Sequence, residues 1–201
     1  MHNYQAEHIP SIEFVEYYIG ELPIYSSQPL FVFLSGVPGS GKSYLSKLIS
    51  KQIPIITLES DFVRRILFPT PRYTQNENRK LFKFCHSLID QLLSKSFPIL
   101  FDATNLIESN REHLYHLAER NSAQLIIIKV TAPENIIFNR LTQRAGLIGV
   151  DKKDNSNAGW RIYKRMIKSS ETIQRSHSII DTSEDIDAIV RRLVRKIRRY
   201  L

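Results

Sequence analysis

Gly36-Val37-Pro38-Gly39-Ser40-Gly41-Lys42-Ser43 is a complete G-x-x-x-x-G-K-[ST] stretch, and its flanks decide how it is read. Before it, Leu30-Phe31-Val32-Phe33-Leu34 is a short apolar run of the kind that forms a buried parallel strand. After it, Tyr44-Leu45-Ser46-Lys47-Leu48-Ile49 continues as a helix. Strand, glycine-rich turn and helix in that order make a phosphate-binding loop. The glycines let backbone N–H groups converge on α- and β-phosphates, and the helix N-terminus adds positive potential. Lys42 can reach the β- and γ-phosphates, and the Ser43 hydroxyl can ligate Mg²⁺. The nucleotide-contacting set is therefore Gly36, Pro38, Gly39, Ser40, Gly41, Lys42, Ser43 and Tyr44.

Outward from the loop the chain alternates strand and helix. Ile12, Val15, Tyr18 and Ile19 predict a short helix that Gly20 and Pro23 end, within an N-terminal extension over residues 1–29. Pro54 to Leu58 is a second strand, followed by a helix for which Ser60 or Asp61 is the expected cap. Pro69 and Pro71 break that helix. A long amphipathic helix then runs from Thr74 to Ser94 with Leu81, Phe84, Cys85, Leu88, Leu92 and Leu93 inward. Pro98 to Phe101 is a third strand running into Asp102. Ser109 to Asn121 is a helix with an expected capping box from Ser109 to Glu112. Leu125 to Val130 is a fourth strand, and Pro133 stands near the start of a helix reaching about Arg144. A polar stretch from Gly146 to Gly159 precedes a helix beginning near Trp160. Ser178 to Asp181 is a fifth strand, and a basic terminal helix spans 184–200.

This pattern predicts an α/β fold, a three-layer α/β/α sandwich with a mainly parallel five-stranded sheet and a helical lid over about 140–160. Ligands of such sheets sit at the carboxyl ends of the strands. Strands one, two and three end at Ser35-Gly36, Glu59-Ser60-Asp61 and Asp102, so the chemistry converges on one edge. An acid ending an apolar strand is where a phosphate-loop enzyme keeps a carboxylate near Mg²⁺, which makes Asp102 the metal candidate beside Ser43. Thr104 and Asn105 continue the turn and are candidates to orient Asp102 or hold water. Asp61 is the candidate base for an acceptor hydroxyl, and Arg64, three residues on, is placed to hold an anionic part of that acceptor. Arg140 and Arg144, at i and i+4 before the polar stretch, are candidates to fold over the triphosphate and neutralise charge.

Composition narrows the classes. The chain of 201 residues is 42% hydrophobic and 24% charged, ordinary for a globular protein and enough for a sizeable core. No run approaches a membrane span, and Met1 to Glu7 lacks the features of a signal peptide, so a cytoplasmic location is expected. One cysteine, Cys85, excludes an internal disulfide framework and a Cys-rich zinc site. The net charge of +8 raises the question of a nucleic-acid partner. Much of the excess lies on the terminal helix, where Arg191, Arg192, Arg195, Lys196, Arg198 and Arg199 oppose an apolar stripe. Those arginines read either as a solvated polar face or as a contact for an acidic partner. His113 and His116 read as a surface pair, and Trp160 and Tyr163 as core aromatics or as a stacking pair for a base.

GVPGSGKS, SDFVRR, FDATN with a following arginine, and NRLTQR followed by SNAGW together resemble the P-loop kinases related to the polynucleotide 5′-hydroxyl kinase domain. That group also contains zeta-toxin-like and chloramphenicol-phosphotransferase-like kinases. The resemblance covers about residues 30–182. It implies Asp61 as the activating base, Arg64 as acceptor-phosphate contact, Arg144 with Arg140 as lid arginines, and a structural use for Arg111. It also implies ATP rather than GTP, and the Asn-Lys-x-Asp guanine signature is absent from the chain. The expected activity is ATP- and Mg²⁺-dependent transfer of the γ-phosphoryl group to a hydroxyl of a small molecule or nucleotide. A polynucleotide 5′-hydroxyl kinase and a regulatory ATPase without a phospho-acceptor are the alternatives.

Overall fold

The computed structural model describes residues 10–20, 22–23, 27–146 and 159–201, with side chains for all of these except 144–146. Five strands, β1 (Leu30–Ser35), β2 (Ile56–Glu59), β3 (Ile99–Asp102), β4 (Gln124–Thr131) and β5 (Ser178–Asp181), form one sheet in the order β2-β3-β1-β4-β5. Every pairing is parallel, so the sheet expected to be mainly parallel is wholly so. β1 lies at its centre, flanked by β3 and β4, and all six of its residues are buried. That explains why its sequence is apolar throughout rather than alternating.

Alternation along β1 sorts its side chains between two cores. Phe31 and Phe33 enter a cluster with α1 (Ile12–Tyr18), α3 (Ser60–Leu67), α4 (Gln75–Ser94) and α5 (Glu108–Arg120). Leu30, Val32 and Leu34 enter the opposite cluster with α2 (Lys42–Ser50) and α8 (Ile186–Ile197). Helices cover both faces, which gives the three layers. The α4 stripe read from the sequence is buried in full, and Ile89 joins it. In α1, Phe14 packs edge-on against Phe84 with ring centroids 5.0 Å apart, so this short helix is part of the core beneath the sheet. The α8 stripe of Ile189, Val190, Leu193, Val194 and Ile197 is buried, while its arginines are exposed. Arg198, in the 3-10 turn after α8, donates to Gln52 O at 2.8 Å and ties the two helices of that layer together.

Two expected helix caps are corrected. Ser60 and Asp61 lie inside the first turn of α3, whose cap is Glu59 with no side-chain bond. The second strand runs to Glu59, one residue beyond the expected end, leaving no room for a capping serine. Ser109 likewise falls inside α5, which starts at Glu108 after Ile107. Its expected box with Glu112 does not form, because Ser109 is already helical and Ile107 holds the cap position. Thr74, by contrast, caps α4 by accepting from Glu77 N at 3.2 Å. Helices α6 (Glu134–Gly146) and α7 (Trp160–Lys168) stand at the carboxyl edge of the sheet. Residues 147–158, most of the expected lid, lie outside the described residues.

Candidate active site

The phosphate loop leaves β1 at Ser35 and is built by close approaches only glycine permits. A Cβ on Gly36 would stand 2.5 Å from Val130 O, a backbone atom that cannot step aside. Gly39 and Gly41 have φ of +82° and +94°, in the region that favours glycine. Gly41 precedes α2, which has no side-chain cap, so its first backbone N–H groups point toward the loop centre as an anion cradle. Lys42 is buried, and its Nζ reaches back across the loop to donate to Val37 O at 3.0 Å. Ser43 and Tyr44 are exposed at the mouth. Ser40 Oγ is buried without a hydrogen-bond partner.

Asp61 and Asp102 both feel the charge of Lys42, and a third carboxyl, Glu59, stands beside Asp102. Asp102 ends β3 in register with Leu34 of β1 and Glu59 of β2. Burial raises its carboxyl above the usual range, while Lys42, a hydrogen bond from Ser43 and the charge of Lys47 pull it back down. Its Oδ2 is buried with no hydrogen-bond partner. Asp61 is raised by burial and by Asp102, against the lowering influence of Lys42, Arg64 and Arg65. Glu59 is raised by burial and then by Asp102, against Lys47 and Arg65. Asp61 therefore feels Lys42, Asp102 and Arg64 together. Asn105 does not orient Asp102 through a hydrogen bond. Its Nδ2 donates to Leu34 O at 2.7 Å and its carbonyl accepts from Ser35 Oγ at 2.9 Å, which locks the β3 turn to the end of β1.

The arginines divide by task. Arg64 is 6% exposed, donates from Nη2 to Asn78 Oδ1 at 2.7 Å, and lies 4.7 Å beneath the centre of the Tyr73 ring. Arg111 is fully buried and donates to Asn105 O, Glu171 O and Thr172 O, a framework role. Arg140 bonds Thr182 through Nη1 to Oγ1 at 2.8 Å and Nη2 to the carbonyl at 3.0 Å, and also donates to Gly39 O at 3.3 Å. It therefore braces the back of the phosphate loop. Arg144 stands on the last turn of α6, and its side chain lies outside the described residues. Trp160 and Tyr163 stack on each other at 4.6 Å, and Tyr163 is buried with Val37, Leu106, Ile137 and Leu141. His113 and His116 are exposed, and Cys85 is a buried thiol pushed up to about 12 by its apolar surroundings.

A family model described as an AAA domain, AAA_33, matches residues 31–169. The chain belongs to this AAA domain family. Among curated proteins it is similar to the L-seryl-tRNA(Sec) kinase of Methanococcus maripaludis, 25% identical over 169 residues, covering 79% of this chain. The chain spans 61% of the length of that relative. Its fold is that of P-loop kinases. A gluconokinase from Sinorhizobium meliloti 1021 superposes with a TM-score of 0.59 at 18% identity, covering 85% of this chain and 93% of the other. The Mycobacterium tuberculosis APS kinase CysC, solved with AMPPNP and APS, superposes with a TM-score of 0.60 at 16% identity, covering 85% and 98%.

In this AAA domain, three residues of the site escape sequence reading. Glu59 shows only as an acid just past an apolar run, and its partnership with Asp102 arises from parallel register between residues 43 apart in the chain. Thr182 follows the last strand as one more turn residue, yet its Oγ1 donates to Ser40 O at 2.8 Å. Tyr73 sits in a Pro-rich break, and nothing local says that its ring covers Arg64. No described helix is long and apolar enough to cross a membrane.

Proposed function

We propose that the protein is an ATP-dependent phosphotransferase moving the γ-phosphoryl group to a hydroxyl of a small molecule or nucleotide, with residues 30–201 as the kinase domain and Mg²⁺ as cofactor. The observation that carries the reading is the convergence of Lys42, Asp61 and Asp102 at the carboxyl edge, with Arg64 beyond Asp61. A nucleotide-binding switch needs the loop and one acid; it has no need of a second, half-buried acid that feels both the loop lysine and a buried arginine. The similarity to a relative named L-seryl-tRNA(Sec) kinase supports the same class.

The donor set fits Mg²⁺. Asp102 Oδ2 is an orphaned buried oxygen next to the Ser43 hydroxyl, and hard oxygen ligands suit that ion. Among the described residues no group of three His, Cys, Asp or Glu side chains forms a ready-made cage. Ser43 and Asp102 are the residues that would hold it, and bound there it would offset phosphate charge.

Loop amides at the start of α2 orient the phosphates, and Lys42 exchanges its bond to Val37 O for a phosphate oxygen. Asp61 accepts the proton of the acceptor hydroxyl as the phosphoryl group moves. Its raised affinity for protons brings it closer to the working range of a general base. Arg144 closes from α6, while Arg140 keeps the loop in shape. The test is transfer from γ-labelled ATP to a panel of nucleosides, sugars, organic acids and oligonucleotides. Asp61→Asn is expected to lower transfer by about 10²–10⁴-fold while leaving ATP affinity in place. Release of free phosphate alone, unaffected by that substitution, overturns the kinase reading in favour of a regulatory ATPase. A steep loss of acceptor affinity with salt identifies a polynucleotide end rather than a small molecule.

A further inference from the structure

Helix α8 carries positive charge that the fold itself does not use. Its apolar stripe of Ile189, Val190, Leu193, Val194 and Ile197 is buried, so Arg191, Arg192, Arg195 and Lys196, with Arg199 in the turn that follows, are exposed on the other side. Among the described residues the side chains of Arg191, Arg192, Arg195 and Arg199 make no ion pair or hydrogen bond, and Lys196 reaches only the Ser178 hydroxyl at 3.4 Å. Several other exposed cations do have acids: Arg120 pairs with Asp90 at 2.7 Å, Arg175 with Glu119 at 2.6 Å, and Lys164 with Glu134. Attraction to the helix C-terminus accounts for Arg195 and Lys196 in the last turn, but that effect has faded by Arg191 and Arg192.

The row is dense and firmly mounted. Arg191 and Arg195 are four residues apart, as are Arg192 and Lys196, with Arg199 three further on, so the cations form two adjacent ridges along the helix. From Arg191 to Arg199 is about 12 Å at the helical rise, which gives these five cations about one charge per 2.4 Å, near the one per ~1.7 Å of a DNA duplex. The buried stripe holds the helix, and Arg198 donating to Gln52 O at 2.8 Å pins its end, so binding orders little backbone. The chemistry of the face selects among polyanions. No large apolar side chain of α8 is exposed, so the face has neither the apolar centre of a protein interface nor the insertable side of a membrane-surface helix. The helix has no aromatic ring either, so unpaired bases find nothing there to stack on.

We infer that the outer face of α8 is a docking surface for the phosphodiester backbone of a duplex nucleic acid, gripped by Arg191, Arg192, Arg195, Lys196 and Arg199 without regard to base sequence. The helix runs from the Thr182 turn, which holds the phosphate loop, to the far end of α2 at Gln52. A duplex on its outer face leaves the loop open, so nucleotide and nucleic acid bind together. The inference does not depend on the kinase reading, because backbone contacts of this kind involve no phosphoryl transfer.

The experiment is fluorescence anisotropy on the full chain, with and without saturating AMPPNP and Mg²⁺. The probes are a labelled RNA duplex, the DNA duplex of the same sequence, a scrambled duplex and the separate strands. Five phosphate contacts give a slope of log affinity against log salt of about −4 to −5, hence about a 500-fold loss from about 50 to 200 mM salt. All the duplexes are expected to bind, the scrambled one equally well and the single strands more weakly. Arg191→Gln combined with Arg195→Gln is expected to lower duplex affinity about tenfold or more and to flatten the slope by about 2. Both positions are exposed, so the melting temperature stays in place. Lys80→Gln combined with Lys83→Gln, at exposed basic positions of α4, is the control that leaves binding unchanged. Absence of duplex binding, tighter binding of single strands, or a loss in the α4 pair without one in the α8 pair each overturns the inference. Displacement of the duplex by AMPPNP overturns it by placing the nucleic acid at the phosphate loop. Polyglutamate bound as tightly as the duplexes overturns it in favour of an acidic protein partner. Phosphatidylserine vesicles bound in place of duplex overturn it in favour of a membrane surface.

Discussion

Replacing Arg111 by methionine keeps most of the side chain's aliphatic volume and removes its guanidinium. In the folded protein that group donates to Asn105 O at 2.8 Å, Glu171 O at 2.9 Å and Thr172 O at 2.8 Å, and pairs with Glu108. Asn105 O keeps its bond from Ser35 while Glu171 O and Thr172 O lose their Arg111 donor, and at about 1 kcal/mol for each lost bond the three sum to about 3 kcal/mol. Breaking a buried ion pair by removing one partner gives a similar figure, about 3–5 kcal/mol. Glu108 is partly exposed and rehydrates, so a loss of about 4 kcal/mol is expected. At roughly 2–4 °C per kcal/mol for a chain of this size, the melting temperature falls by about 8–16 °C. The damage reaches the site, because the Asn105 carbonyl that Arg111 holds also accepts from Ser35, one residue before the phosphate loop. Melting curves with and without AMPPNP read both effects, since the ligand-induced rise reports affinity. Arg111→Lys, a point charge in place of a planar fork, is expected to fall between the two. A stability within about 0.5 kcal/mol of the wild type, the range of an ordinary surface substitution, refutes the reasoning.

Gly36→Ala places a methyl group 2.5 Å from Val130 O, so the loop must shift; nucleotide affinity measured by calorimetry is expected to drop by an order of magnitude or more, with a smaller change in melting. Asp102 is raised by burial, so its stabilising proton is fully bound below the unfolded value near 4 and is lost as pH rises through the folded one. Wild-type stability relative to Asp102→Asn is therefore expected to decline from pH 4 toward neutrality and then level off, as followed by urea unfolding; a difference rising with pH contradicts the assignment. His86 is pushed down to about 4 by burial and by His113, so it favours the folded state above pH 6.5 and that support fades as pH falls toward 4. His86→Gln is expected to flatten the acid side of the stability profile over that window.

Much of the fold is legible in the chain because its signals are local. β1 is apolar from Leu30 to Leu34 because it is central, and the α4 stripe has helical spacing because one face alone meets the sheet. The loop is legible for the same reason: its geometry is enforced by glycines at fixed separations. Asp61 and Asp102 are visible as acids just past apolar strands. What sequence does not carry is register and reach. Ser60 and Ser109 have the chemistry of caps, and one extra residue of β2 and an earlier start of α5 decide otherwise. Arg140 and Arg144 have the spacing of a matched pair, yet the guanidinium of Arg140 is committed to Thr182, 42 residues away. Glu59 and Tyr73 gain their places from parallel pairing and from a strained turn, neither of which has a short sequence signature.

The bond from Thr182 Oγ1 to Ser40 O spans 142 residues, and the one from Arg140 to Gly39 O spans 101. The motif that announces the nucleotide site is thus complete on paper by Ser43 but complete in space only when the last strand and the turn after it have docked. A chain emerging from its N-terminus holds the letters of the loop long before it holds the shape, because contacts of such separation form late. Affinity for nucleotide therefore ripens only once β5 and the Thr182 turn are in place, and ATP present during folding acts as a latch on the closing step rather than as a template for the first one.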